Sequence, residues 1–145
     1  MYKSIKFETK EKVEALKSKK VFFFDLDSTL TRSKENLDEE MSKLISHLLE
    51  ERKMVVIGGG DYTQFQKQVV NHLPQNENIL KNLFIVSDSG GSFYKYESKE
   101  FKPVYKKELK EEEKTRIFSA FSNALEDVAF LPPRKQYGEL IEDRG

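Results

Sequence analysis

The stretch Val21–Leu30 reads V-F-F-F-D-L-D-S-T-L. Four apolar residues run directly into Asp25 and Asp27, followed by the hydroxyls of Ser28 and Thr29. A continuous β-preferring run of this kind suits a strand buried on both faces of a parallel sheet. Two carboxylates leave its tip, and a carboxylate is costly to bury without a partner. Side chains two apart on a strand share a face, so the pair points to a bound cation or to a reaction. A plain Asp-rich turn is the alternative, and the four apolar residues before it and the S-T-L after it argue against that.

The rest of the chain continues the pattern. Leu37, Met41, Leu44, Ile45, Leu48 and Leu49 recur at helical spacing. Met54–Ile57 is a second short apolar strand, stopped by Gly58–Gly59–Gly60. Phe65, Val69, Val70 and Leu73 mark another helix, closed near Pro74. Leu83–Val86 is a third strand, ending in Ser87-Asp88-Ser89-Gly90-Gly91. This β-α-β-α-β order predicts an α/β domain with a parallel sheet. Ligands of such sheets bind beyond the carboxyl ends of the strands, which is where both the aspartates and the glycines fall. Glu8–Lys17 is charged and predicts a short leading helix.

After Gly91 the pattern changes. Ser92–Tyr96 and Phe101–Tyr105 alternate about a polar turn, a hairpin signal. Leu109–Phe130 predicts a long helix with Ile117, Phe118, Phe121, Leu125 and Val128 on its apolar side, stopped by Pro132–Pro133. Gly138–Arg144 predicts one more strand. The expected division is residues 1–91 as a core and 92–145 as an appended module.

Composition narrows the chemistry. The 145 residues carry 25 basic and 25 acidic side chains, a net charge of +0, so no dominant basic tract for nucleic acid is indicated. Cysteine is absent, which removes disulfides, thiolate zinc and a thiol nucleophile. No apolar run reaches membrane-spanning length. The expectation is a soluble cytoplasmic protein whose partner is a small phosphorylated metabolite, with neither nucleic acid nor membrane as partner.

The aspartate pair suits phosphoryl transfer. Magnesium takes hard oxygen ligands. One carboxylate can attack phosphorus to form an aspartyl-phosphate, and the second can protonate the leaving oxygen and later deprotonate water. Main-chain N–H groups with Ser28 and Thr29 can hold phosphate oxygens. Gly58, Gly59 and Gly60 offer main-chain N–H groups of the same use, although a flexible strand-to-helix turn reads equally well.

V-F-F-F-D-L-D-S-T-L resembles motif I of the haloacid dehalogenase superfamily, hhhhDxDx[TV][LV], whose members are mostly magnesium-dependent phosphatases and phosphotransferases. The resemblance implies that Asp25 is the nucleophile, Asp27 the general acid/base, and Mg2+ the cofactor, held by the Asp25 side chain and the Asp27 main-chain carbonyl. M-V-V-I-G-G-G-D-Y resembles motif II, which normally has Ser or Thr where Gly58 stands. The glycine-rich version is similar to eukaryotic-type phosphomannomutases and their bacterial relatives, which carry a type IIB cap. The S-D-S-G-G segment is similar to their hairpin entrance and implies a structural role for Asp88. Leu131–Gly145 resembles a cap segment ending in a substrate-phosphate arginine, here Arg144; Tyr137 stands where another cap arginine is usual. A solvated arginine at a strand end fits Arg144 as well. Arg32 is a further candidate for substrate binding beside motif I.

The resemblance implies a three-layer α/β/α Rossmann-like core with the start of an α/β type IIB cap. It also implies a lysine and a later acidic pair that do not follow Arg144, so the chain reads as the N-terminal part of such an enzyme. The expected activity is magnesium-dependent phosphomonoester hydrolysis on a sugar phosphate or similar metabolite. A phosphohexomutase is the alternative among enzymes, and a non-catalytic remnant or binding module the alternative outside them.

Overall fold

The computed structural model describes residues 10–132 and residue 141. Arg144, Tyr137 and the expected strand over Gly138–Arg144 therefore lie outside the described residues, apart from residue 141. Two compact units are present, Met1–Tyr105 and Lys106–Gly145.

In the first unit a leading helix, α1 (Lys10–Lys17), precedes strand β1 (Val21–Asp25). Helix α2 (Glu39–Glu51) opens at Asp38, whose carboxylate accepts from the Met41 N–H at 2.8 Å. With Glu39 and Glu40 in the first turn, both capping and the helix dipole favour a start there. Strand β2 (Lys53–Ile57) follows, then helix α3 (Tyr62–Gln68), a 3-10 turn at Val70–His72, and the short helix α4 (Glu77–Leu80). Strand β3 (Leu83–Ser87) leads into the hairpin β4 (Ser92–Glu97) and β5 (Glu100–Lys106). The helix expected around Phe65–Leu73 is thus broken after Gln68. Ser98 and Lys99 both have positive φ at the hairpin turn, the backbone that lets a two-residue loop follow the twist of its strands.

The sheet order is β1-β2-β3-β4-β5. β1, β2 and β3 are parallel in a register that sets Asp25 beside Ile57 and Val55 beside Phe84. β4 runs antiparallel to β3, with Val86 beside Phe93. The parallel α/β architecture expected from the alternation is present. The hairpin, which the sequence placed with the appended module, continues the core sheet, so the division falls after Tyr105 rather than after Gly91.

One face of the sheet carries the core. Met54, Val56, Leu83, Ile85 and Tyr94 pack with Ile45, Leu49, Phe65 and Leu80 from the helices and Val69 from the turn after α3, all at most 8% exposed. Leu44, assigned by its spacing to the same side of α2, is 61% exposed. The opposite face holds Val21, Phe23, Val55, Phe84 and Phe93. There Phe84 stacks on Phe93 at 5.9 Å, and Phe93 meets Tyr105 at 6.0 Å. Phe23 on that face is 71% exposed.

Among the described residues, the burial expected for β1 on both faces is found on one of them. β1 ends the sheet among the described residues, and the helical core of its unit lies on the Phe24 side. Among the described residues of that unit the core is two layers, sheet and helices.

Tyr62 at the start of α3 stacks on Tyr94 at 4.2 Å. Burial, then Tyr94 and Glu100, push its hydroxyl above the ordinary value of 10.0. The folded chain holds this proton more tightly than the unfolded one. Its contribution to stability is therefore full below pH 10 and is lost as the pH rises through the folded value. Urea midpoints measured from neutral pH upward should fall above about pH 10, and less steeply in Tyr62→Phe.

In the second unit α5 (Glu111–Asp127) starts where the Lys110 N–H donates to the Glu113 carboxylate at 2.8 Å. Glu111, Glu112 and Glu113 fill its first turn, which suits the positive end of the helix dipole. It ends at Val128, before the prolines, where Ala129 has φ 47. Ile117, Phe121 and Val128 are exposed at 40%, 54% and 71%.

Candidate active site

Asp25 is the last residue of β1 and is exposed at the carboxyl edge of the sheet. The chain then tightens into a turn in which the N–H groups of Thr29, Leu30 and Thr31 all point at the Leu26 carbonyl. Leu26 and Leu30 are buried, and they anchor this turn to the core while leaving Ser28 and Thr29 exposed. The turn requires Ser28 to take φ 62, a region that L-residues rarely adopt. Asp27 is half-buried, and its Oδ1 accepts the Lys34 N–H at 2.9 Å. The loop after the motif thus holds the second carboxylate in place through a main-chain donor, which a reading of side-chain types cannot anticipate.

The glycine segment lies alongside. The Leu26 N–H donates to the Ile57 carbonyl at 3.1 Å, which brings the two sequence motifs to one edge. Gly58 continues the sheet ladder, its N–H donating to Val86 at 3.2 Å. That N–H is therefore committed, and a phosphate-binding role for Gly58 through it does not fit. The Gly58 and Gly60 carbonyls accept from the Ser89 and Asp88 N–H groups at 3.0 and 2.9 Å. Asp88, Ser89 and Gly90 all have positive φ, at 53, 53 and 98. The end of β3 is bent so that its main chain clasps the glycine loop, in keeping with a structural role for Asp88. The Ser89 link to Gly58 runs through the main chain, so the residue type of Ser89 carries no sign of it.

Helix α3 adds little to anion binding. It has seven residues, and Asp61 already accepts from the Gln64 N–H at 2.8 Å.

A side chain at position 58 would be tightly packed. A Cβ on Gly58 would lie 3.2 Å from Phe65 Cζ and 3.6 Å from Leu26 Cβ. Phe65 is fully buried, so its ring would have to shift by a few tenths of an ångström to admit a side chain. Gly58→Ser is expected to destabilise the fold by about 1–3 kcal/mol through overpacking. Adding Phe65→Leu should return part of that loss in a chemical-denaturation series.

Arg32 is exposed on the loop after motif I. With Thr29, Glu35, Asn36 and Met41 it lines a cavity of about 510 Å³. The cavity adjoins the aspartate turn through Thr29, Leu30 and Thr31, and Asp25 and Asp27 are not among its lining residues. Arg144 lies outside the described residues.

Among the described residues no cluster of three or more acidic or histidine side chains is gathered for a metal. The donors at the edge are two carboxylates and main-chain oxygens. Magnesium commonly takes one or two carboxylates and completes its shell with water and substrate phosphate, so the donor set fits that ion. No helix among the described residues is long and apolar enough to cross a membrane.

Comparison with known proteins agrees with this arrangement. The chain is 32% identical over 78 residues to a phosphomannomutase of Encephalitozoon cuniculi, covering 53% of this chain and 28% of that one. It is 26% identical over 122 residues to phosphomannomutase 1 of Mus musculus, covering 83% and 44%. The chain thus spans less than half the length of these curated relatives. A haloacid dehalogenase-like hydrolase from B. subtilis superposes with TM-score 0.57 at 17% identity, covering 73% of this chain and 34% of the other. The IMP-nucleotidase of Plasmodium falciparum gives 0.56 at 19% identity, covering 79% and 33%. At those identities the likeness is one of fold. The model of the haloacid dehalogenase-like hydrolases matches residues 22–140, a span that holds both motifs and the clasp between them, and the chain belongs to that family.

Proposed function

We propose that this chain carries the nucleophile and acid/base half of a magnesium-dependent phosphoryl-transfer site acting on small phosphomonoesters, sugar phosphates among them. The observation that carries the reading is the exposed Asp25 carboxylate at the end of β1, two residues before an Asp27 held by the Lys34 N–H.

In this mechanism an Asp25 carboxylate oxygen attacks phosphorus as the bond to the ester oxygen breaks. The Asp27 carboxyl gives its proton to that leaving oxygen. Asp27, now ionised, takes a proton from water as the water oxygen attacks the aspartyl-phosphate. Inorganic phosphate leaves, and Asp25 is regenerated. The Lys34 N–H keeps Asp27 Oδ1 fixed, which leaves Oδ2 for the proton. Ser28 and Thr29, both exposed beside Asp27, would donate to phosphate oxygens. The Asp25 side chain and the Asp27 main-chain carbonyl would hold Mg2+, which when bound offsets charge on the phosphoryl oxygens.

A hexose-phosphate mutase is the second reading, favoured by the curated relatives, which are phosphomannomutases. In that case a sugar hydroxyl replaces water as the acceptor. The test is a panel of phosphomonoesters and hexose phosphates with and without Mg2+. Release of inorganic phosphate selects hydrolysis. Interconversion of hexose 1- and 6-phosphates without release selects the mutase. A folded protein inert toward every compound would sink both, and leave a binding or remnant role.

A further inference from the structure

The glycine loop after β2 brings no hydroxyl to the edge that holds Asp25, and its first N–H is committed to the Val86 carbonyl at 3.2 Å. A hydroxyl from another strand stands against that loop. A Cβ built on Gly59 would meet the Ser89 Oγ at 3.5 Å, and both residues are exposed. The main chain fixes the serine there. Its N–H donates to the Gly58 carbonyl at 3.0 Å, and that of Asp88 to the Gly60 carbonyl at 2.9 Å. To make this clasp Ser89 takes φ 53 and ψ 33, a conformation uncommon for any residue but glycine. The nearby Ser87 hydroxyl is buried and bonded to the Asp88 carboxylate at 2.8 Å. Ser89 makes no such side-chain bond among the described residues.

We propose that the Ser89 hydroxyl, delivered from the end of β3, is a phosphate-oxygen donor of the site, beside a glycine loop that has no side chain of its own to offer. The inference rests on the phosphoryl-transfer reading above. Asp25 is in register with Ile57, and Ile57 with Val86, so β2 lies between the nucleophile and the serine. Neighbouring strands are about 4.8 Å apart, which sets the main chains of β1 and β3 about 10 Å apart. An aspartate side chain, a phosphoryl group and a serine side chain together bridge a gap of that order. Ser28 and Thr29 would then meet the phosphate from the β1 side and Ser89 from the β3 side. A hydroxyl bonded to a charged phosphate oxygen makes a stronger bond than one to a neutral acceptor.

The test is binding of inorganic phosphate, with Mg2+ present, to the full chain, followed through amide chemical shifts. The wild-type chain should show saturable shifts at Gly59 and Ser89 as well as at Ser28 and Thr29. Ser89→Ala and Ser89→Gly should each raise the dissociation constant about tenfold, the usual weight of a hydrogen bond to a charged group. Glycine adopts φ 53 without strain, so an equal loss in both variants traces to the hydroxyl. A loss in Ser89→Ala alone would trace to the backbone and overturn the inference. Gly59 has a φ that admits a side chain, so Gly59→Ser added to Ser89→Gly returns a hydroxyl to the same place and should recover part of the affinity. The amide spectrum of each variant shows that it is folded. Wild-type affinity in both single variants, or no recovery in the double variant, overturns the inference and leaves Asp25 and Asp27 in their roles. A wild-type chain with no phosphate-dependent shifts at either turn overturns the inference together with the reading beneath it.

Discussion

Asp25→Asn is expected to abolish turnover while the chain keeps its fold. The amide has nearly the same shape as the carboxylate, and Asp25 is exposed at the end of its strand, so little packing depends on the charge. What is lost is the anionic nucleophile. Removing a nucleophile from a site that acts as a unit lowers kcat by at least about a thousandfold. Asp27→Asn removes the proton donor but keeps the acceptor for the Lys34 N–H. Its loss should be greater for esters with poor leaving groups than for nitrophenyl phosphate, whose phenolate leaves without help. Steady-state assays of both variants on an active preparation test the assignment. Full activity in Asp25→Asn would remove it. An equal loss on both ester types in Asp27→Asn would assign Asp27 to placement rather than proton transfer.

Phe65→Ala is expected to cost about 3–5 kcal/mol, the usual range for deleting a buried aromatic ring. Phe65 is fully buried, in the cluster that joins the helices to β2 and β3. Its ring tip also stands close to where a Gly58 side chain would go. The cavity therefore opens directly beneath the glycine loop, and truncation should loosen the candidate site as well as the core. Urea denaturation measures the first effect, and hydrogen exchange at Gly59 and Gly60 the second. A loss below about 1 kcal/mol would mean that the neighbouring side chains close the space. The ring would then not be what crowds a side chain at position 58.

These two residues also show what kind of information the sequence carried. Asp25 and Asp27 were legible because an apolar run ending in D-x-D is a local pattern, and the chemistry of carboxylates does not depend on distant contacts. The parallel α/β order was legible for the same reason, since strand and helix periods are written within each segment. The bare G-G-G was legible as a departure, but the tight packing at Gly58 was not. Phe65 lies several residues farther on and meets Gly58 only because α3 folds back over the strand end. The clasp between Asp88, Ser89 and the glycine carbonyls was hidden too, because main-chain hydrogen bonds carry no side-chain signature.

Burial was the property read least well. Four apolar residues in a row announced a strand, and β1 is one. The same four residues could not say whether other elements cover them. Hydrophobic sequence records a tendency to leave water, whereas burial depends on which elements pack on each face. Leu44 makes the same point on α2, at the right period but facing solvent. By itself the sequence determined the strand and the carboxylate pair at its tip, both from neighbouring residues. Only the tertiary structure decided that the Phe23 side of β1 is uncovered among the described residues, and that Phe65 packs tightly against position 58. Each of those rests on contacts between segments far apart in the chain, which local patterns do not encode.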